Sequence, residues 1–516
     1  MNRMTCDVVI LGSGLGGSLL AMVLHRLGRR VVMMDRCVHP RFTIGESSTP
    51  IADMLLARVC RRYALPEIAP LAAYGATRRA HPELSIGLKR GFSYFGHTPG
   101  QAFQVHPDHR NELLVAASTN AETADSHWLR RDIDAFLAQQ ARSMGVDLIE
   151  NMQVRRITKT SRWTIQGQSG HQEVECHCRF VVDATGPAGT LLAALGIAKQ
   201  PDGLKTHSRS LYAHFEGVTS WDELLETWGA GRQDHPYPCD RAALHHVLDQ
   251  AWMWQLTFDS GVMSAGFVIS GPAASRPHPP DAKGAWDSFL STYPSLKQQF
   301  LDARIVAPAA GVVATDRLQY LAERAAGEGW ICLPSSAGFI DPLHSTGIAH
   351  TLSAVWRLAH LFERQWDTAS WSSSMLALGE AMRAEIRFVD RLVGGCYETI
   401  SEFAAFSAFS MLYFVAAIRF ESRLSAAGLE ALEDQFLCAD DPLLAGMMSR
   451  VEEEVRQLRA SHFSRDQVCR FVDRVRAEIQ PFNSVGLLDA NAQNMYHHTA
   501  PVDKLRIGQV LGEIEN

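Results

Sequence analysis

Asp7-Val8-Val9-Ile10-Leu11-Gly12-Ser13-Gly14-Leu15-Gly16-Gly17, continued by Ser18 to Leu27 and then by Val31-Val32-Met33-Met34-Asp35, is the stretch on which the fold turns. The short apolar run 7–11 reads as a buried strand. The glycine loop opens a helix, and a second apolar strand ends in an acid. Each glycine has a physical job. Gly12 permits the tight turn, Gly14 lets the backbone approach a pyrophosphate, and Gly17 lets helix and strand pack closely. The helix start, at Leu15, would present unpaired N–H groups and a positive dipole end to the phosphates. Asp35 is placed to accept hydrogen bonds from a ribose hydroxyl, with Arg36 beside it. A glycine triplet alone is a weak signal. Strand, loop, helix, strand and acid in this order predict a dinucleotide site.

The rest of the chain is compatible with one large globular enzyme. Its 516 residues are 46% hydrophobic and 20% charged, with a formal charge of −7. That length predicts two or more associated domains. No basic tract stands out, which argues against a nucleic-acid partner. Ten cysteines are scattered rather than framed, as suits reduced thiols in the cytoplasm. Cys176-His177-Cys178 has no second ligand pair at zinc spacing, so it reads as buried thiols and no metal is expected. The first apolar run is too short for a signal peptide. The longest, Phe403 to Ile418, falls short of the ~20 residues that span a bilayer. It reads as a buried helix, without stable membrane insertion. A monomer or homodimer is expected.

Two later stretches choose between nicotinamide and flavin. Phe180-Val181-Val182-Asp183-Ala184-Thr185-Gly186 is an apolar strand ending in Asp-Ala-Thr-Gly. Gly329-Trp330-Ile331-Cys332-Leu333-Pro334 leads into Ser336-Ala337-Gly338-Phe339-Ile340-Asp341-Pro342. This order, over about residues 5–365, resembles the FAD domain of the flavoprotein monooxygenases of the para-hydroxybenzoate hydroxylase type. The resemblance implies an α/β fold: a Rossmann-like FAD domain, an inserted substrate β-sheet and a helical C-terminal region. It divides the chain into an FAD and substrate module, 1–370, and a helical region, 371–516. The substrate sheet would come from about 76–104 and 195–310. Asp183 and Asp341 would join the FAD site. No second glycine fingerprint follows, so reduced FAD is expected in trans from a separate NAD(P)H-dependent flavin reductase.

The segment 84–94 carries the most specific residue. Alternation places Leu84, Ile86, Leu88, Phe92 and Tyr94 on one face, interrupted only by Arg90. Lys89 shares the other with Ser85, Gly87, Gly91 and Ser93, four small neighbours that would leave open space above a long cation. A surface strand lysine is the plainer reading of that pattern. Four stretches then resemble flavin-dependent halogenases of the phenolic type, including the freestanding phloroglucinol halogenase. They are His39 to Pro50 with its Gly45-Glu46-Ser47, Trp128 to Asp134 with Arg130, the Lys89 segment, and Asp341-Pro342-Leu343-His344-Ser345-Thr346-Gly347-Ile348.

The resemblance implies that chloride or bromide is oxidised at reduced FAD by O2 to hypohalous acid. Lys89 then guides the halogen to a phenolic or other electron-rich ring. It implies FAD contacts from Gly45, Ser47, Arg130, Gly347 and Ile348, a halide site at Ser345, Thr346 and Gly347, and Glu46 in the catalytic set.

The sequence departs from that family at three places. The usual Trp-x-Trp-x-Ile-Pro reads Trp252-Met253-Trp254-Gln255-Leu256-Thr257, which keeps an aromatic hydroxylase open as the alternative. The tryptophans either wall the substrate pocket or are core. His344 stands where tryptophan halogenases commonly have glutamate. It is either a base for a phenolic proton or a structural hydrogen-bonding group. A usual Gly-Asp pair is replaced around Pro334-Ser335. A flavin-binding protein without turnover is the third reading.

Beyond residue 375 the pattern predicts helices at 374–389, 397–420, 442–459 and 464–479, then a less regular stretch, 481–516. Phe403, Phe406, Phe409 and Tyr413 recur at helical spacing and line either an aromatic pocket, together with Phe92, or plain core.

Overall fold

A computed structural model describes residues 2–230, 233–274, 281–428 and 434–499. Residues 500–516 of the expected C-terminal stretch lie outside the described residues.

Strand β1 (Val8–Leu11), helix α1 (Leu15–Arg26) and strand β2 (Val31–Met34) form the unit read from the glycine loop. Every residue of both strands is buried, as expected where helices cover both faces of a parallel sheet. The sheet has six strands. From the middle outward, β1 is flanked by Phe180–Asp183 and then Trp330–Cys332 on one side, and by β2 and Asp147–Ile149 on the other. Those five strands run parallel. Their carboxyl ends, where open α/β sheets bind ligands, carry Gly12, Asp35 and Ala184.

Strand β3 (Ile86–Lys89) leaves the large sheet. It pairs with Asp125–Trp128 as a separate two-stranded ribbon, Lys89 directly opposite Asp125. The chain breaks at Arg90 and re-enters as β4 (Gly91–Gly96), a central member of the second sheet. Glu112–Ala116 pairs with it antiparallel and Ala243–Leu248 parallel. Ala251–Thr257, Met263–Ser270, Ser208–Glu216 and Arg304–Ala307 complete that side. Compared with the expected 76–104 and 195–310, the sheet also takes Glu112–Ala116 and, at its far edge, Met495–Tyr496. One core cluster fills the space between the two sheets and the helices; a smaller one covers the outer face of the large sheet.

Five helices follow: α2 (Thr346–Gln365), α3 (Trp371–Thr399), α4 (Phe403–Ala427), α5 (Pro442–Ala460) and α6 (Arg465–Ile479). Helix α4 is long and apolar enough to cross a membrane, and 83% of its apolar window is buried within the protein. Its aromatic stripe packs on β4: Phe406 lies 5.8 Å from Tyr94, and Tyr413 lies 6.1 Å from Phe92. An ion-pair cluster locks α2 to α3. Glu385 is fully buried and accepts from Arg357 Nη1 at 2.6 Å, from the His350 ring at 2.8 Å and from the Phe436 amide at 2.9 Å. Burial alone would raise its pKa, but the Arg357 and His350 partners win and hold it well below the carboxylate range.

Candidate functional site

A cavity of about 970 Å³ lies at the carboxyl ends of the parallel strands, against the large sheet. Gly12, Gly14, Leu15, Gly17, Asp35 and Arg36 form part of its wall. Gly12 has φ +97°, and a side chain there would come within 2.5 Å of the Ala184 carbonyl; one at Gly17 would come within 2.1 Å of the Gly12 carbonyl. The loop is therefore drawn tight by backbone packing. Helix α1 begins beyond Gly14 with no side-chain cap, which leaves its first amides for a ligand.

Asp35 is held from three sides. Ser13 donates from both its amide and its hydroxyl at 2.9 Å, and the Cys37 amide donates at 2.9 Å. Arg41 lies 3.6 Å away. Burial raises the Asp35 pKa, but these donors and the arginine outweigh it, so the net shift is downward. Arg130 joins the same network. It donates to Asp134 at 2.8 and 3.1 Å and to the Gly45 carbonyl at 3.1 Å, fixing the loop that brings Gly45, Glu46 and Ser47 into the wall. On the opposite side Asp341, Ser345, Gly347 and Ile348 line the cavity. Ser345 caps α2 with φ +51° and no side-chain cap bond. Two helix N-termini thus open on one space, an arrangement suited to an anionic ligand.

Those observations fit FAD. The two glycine approaches and the uncapped α1 suit its pyrophosphate, and the cavity is of the size that holds a bulky ligand. Bound there, FAD supplies the redox chemistry with oxygen.

Trp252, Trp254 and Leu256 face the same cavity. Trp252 Nε1 donates to Tyr397 Oη at 2.8 Å, and that hydroxyl donates to Asp341 at 2.8 Å. Ser208 also donates to Asp341, at 2.9 Å. Burial pushes Asp341 up to about 7.

Several expected residues are not in the cavity wall. Asp183 is fully buried and its carboxylate is spent on the turn that follows. It accepts from the Thr185 amide and hydroxyl and from the Leu191 amide, at 2.9, 2.6 and 2.8 Å. Its effect is to bring Thr185 and Gly186 into the wall in its place. Thr346 is buried just behind Ser345. Phe92, Phe403 and Phe406 belong to the aromatic layer between β4 and α4, beyond the wall.

Lys89 lies in that deeper layer, with no exposed surface. Its Nζ donates to the Ser48 carbonyl and stands 4.1 Å from the centre of the Phe92 ring. The surface reading is excluded. The glycines beside it do not clear space, however. A side chain at Gly87 would strike the Thr257 carbonyl at 1.9 Å, and one at Gly91 the Val115 carbonyl at 2.0 Å. They are small because neighbouring backbone fills their place. Ser48 follows cavity-lining Ser47, so one residue separates the ammonium from the cavity wall.

The Lys89 charge reaches His127 and His245; Tyr94 stacks on His245 at 4.7 Å, and His245 in turn acts on His344. Burial, helped by the Lys89 charge, pushes His127 and His245 down to about 3. Burial and His245 do the same for His344, whose ring stacks on Tyr413 at 4.3 Å. A downward shift of this kind makes His344 a weaker acceptor for a phenolic proton. Tyr94 Oη and the Nδ1 atoms of His127, His245 and His344 have no hydrogen-bond partner among the described residues. Buried polar groups are normally paired, and four left open in one layer favour a polar guest.

Sequence reading missed His245, Tyr212, His214 and Tyr397. His214 stands 3.1 Å from Glu46 in the wall, and His245 joins the flavin cavity to the Lys89 layer. A histidine pair inside an apolar strand, His245-His246, was the available signal.

Fold and site together define an FAD-binding flavoprotein with a buried layer of polar and aromatic side chains beside its cofactor cavity. A family model described as tryptophan halogenase matches residues 121–387, just over half of the chain. The chain belongs to that family and is an FAD-dependent halogenase; hydroxylation is not favoured.

Among curated relatives it is 28% identical, over 89% of this chain and 82% of the other, to the monodechloroaminopyrrolnitrin halogenase PrnC of Pseudomonas fluorescens. It is 31% identical to the tetracycline 7-halogenase of Kitasatospora aureofaciens, over 68% of this chain and 63% of that one. In fold it is similar to the halogenase PltM, solved with phloroglucinol and FAD, at a TM-score of 0.83 and 23% identity over 95% and 99% of the two chains.

Proposed function

We propose that this halogenase installs chlorine or bromine on a small phenolic or similarly electron-rich ring, with Lys89 as the residue that presents the halogen. The observation that carries this is a fully buried ammonium one residue behind the cavity wall, beside a layer of aromatic rings and open polar atoms. Halide oxidised in the cavity leaves as hypohalous acid. The Lys89 ammonium donates a hydrogen bond to its oxygen and so makes the halogen more electrophilic. The ring carbon forms its bond to halogen as the halogen–oxygen bond breaks; the ring proton and the departing hydroxide become water.

His344 and His245, both neutral, would hold phenolic hydroxyls by hydrogen bonds. Glu46, a buried carboxylate beside the His214 ring at 3.1 Å, would take or give a proton on the cavity side. The halide would rest at the α2 N-terminus. There the Ser345 amide is already used by the Pro342 carbonyl, so Thr346 and Gly347 would supply the donors. Trp252 and Trp254 would separate the ring from the flavin.

The solved relative bound to phloroglucinol supports a phenol as acceptor. We further infer a separate flavin reductase, a cytoplasmic site of action, a monomer or homodimer, and a division into a catalytic module, 1–370, covered by the helical region 371–516.

The test is purified protein with a flavin reductase, NADH, bromide and a panel of phenols, read by mass. The bromine isotope pair is the expected product; a gain of one oxygen alone, or no product on any phenol, counts against the reading. Lys89→Met should bind FAD as the parent does and lose at least a hundredfold in bromination. A variant that brominates at the parent rate removes Lys89 from the mechanism.

A further inference from the structure

Outside the lining of the cofactor cavity, three side chains from separate segments converge at one end of the large sheet. His109 ends the loop after β4, Glu112 opens the neighbouring strand, and His235 lies in the segment before Ala243–Leu248. Glu112 Oε2 is 2.8 Å from His109 Nδ1 and 3.2 Å from His235 Nε2, and the three atoms lie within 4.8 Å of one another. All three side chains are shielded, with exposures of 6%, 1% and 3%. Glu112 Oε1 and His235 Nδ1 have no hydrogen-bond partner among the described residues. His109 adopts φ +49°, a left-handed conformation that non-glycine residues keep only when their surroundings impose it.

We propose that this triad binds a zinc ion through three protein ligands, leaving the fourth position open to water. Ligands about 2.0–2.1 Å from a tetrahedral ion are about 3.3–3.4 Å apart; the two separations, 2.8 and 3.2 Å, both fall short of that edge, so the side chains would move slightly apart to admit the ion. Two imidazoles and one carboxylate are a set that zinc favours, with water as the fourth ligand. On binding, the proton of each ring moves to its other nitrogen. For His109 that is Nε2, which faces Asp234 Oδ2 at 3.9 Å, the kind of outer carboxylate that orients a ligating histidine. The other candidate cluster, Asp222, Cys239 and Asp240, lacks this character. Its oxygens already accept from the Cys239 and Asp240 amides, from Ser220 and from the amides of Trp221 and Asp222. No member of the triad lines the flavin cavity, so the ion would pin the 97–111 loop to the segment before Ala243 and take no part in halogenation.

The full chain, stripped with EDTA and desalted, is titrated with Zn2+ alone and with Co2+ alone. The site predicts one equivalent of zinc, and cobalt d–d bands in the visible without the near-ultraviolet charge transfer of a thiolate ligand. His235→Asn and Glu112→Gln, checked for retained FAD binding, should each weaken zinc binding at least about tenfold. Failure to take up one equivalent, a thiolate band, or a His235→Asn protein that binds zinc as tightly as the parent overturns the assignment.

Discussion

Gly17 has room for a hydrogen atom and nothing more, because a methyl group there would lie 2.1 Å from the Gly12 carbonyl. Gly17→Ala should force helix α1 away from the loop that the cofactor needs. Flavin fluorescence titration is expected to show at least a tenfold weaker complex, with a stability loss of about 1–3 kcal/mol. Gly28 is the control. Nothing lies within 4 Å of its missing side chain, but its φ is +75°, so Gly28→Ala should cost about 1–2 kcal/mol and leave FAD affinity unchanged. Residues of this kind were readable from sequence because a turn, a close approach and a helix start each demand a particular side chain at a fixed spacing. Asp183 was not. Its place at a strand end matched a cofactor contact equally well, and only the fold reveals that its oxygens are consumed by Thr185 and Leu191. Lys89 was expected beneath open space; it is instead fully buried, and Gly87 and Gly91 are small to admit backbone.

Between helices α2 and α3 the bond is electrostatic as well as apolar. Glu385 has no exposed surface and answers to Arg357, His350 and the Phe436 amide. Removing one partner of such a cluster strands the other charges in the interior. Glu385→Ala is expected to lower stability by about 3–5 kcal/mol, measured by urea unfolding. Its pH signature follows from the direction of the shift. A carboxylate held below its unfolded value stabilises the fold above the unfolded pKa of about 4.3, and that contribution fades as pH falls below it. The difference between parent and variant should therefore shrink in acid. Helices of this region were legible from their apolar periodicity, to within a few residues at α5 and α6. The partner across each interface was not, because periodicity names the buried face and is silent on what it meets. The same limit applies to β3. Alternation ran from Leu84 to Tyr94 with its one interruption at Arg90, and there the chain divides between two different sheets; periodicity marked the break without saying what each half would pair with.

Asp341 joins three parts of the whole molecule: Ser208 of the large sheet, the loop leading into α2, and Tyr397 of α3. Its folded pKa is raised, to about 7, so the native state binds the extra proton between about pH 4 and 7. Its contribution is complete in acid and is lost as pH rises through 7. Against Asp341→Asn without cofactor, the parent should lose as much as about 4 kcal/mol of relative stability by pH 8. A parallel pair of thermal melts from about pH 4 to 8 decides it. At this scale the sequence placed FAD and halide chemistry through ordered local signals, whereas the large sheet was harder to trace. Its strands come from segments nearly four hundred residues apart, and the two-residue strand Met495–Tyr496 carries no periodicity to read. That small strand has a consequence out of proportion to its length. By pairing with Glu112–Ala116, and with Thr499 donating to the Ala116 carbonyl at 2.7 Å, it occupies a row of peptide groups that would otherwise solicit another polypeptide. A ribosome stalling, or a protease nicking, shortly before residue 490 would leave a nearly complete catalyst with an adhesive flank, prone to stick to its own kind.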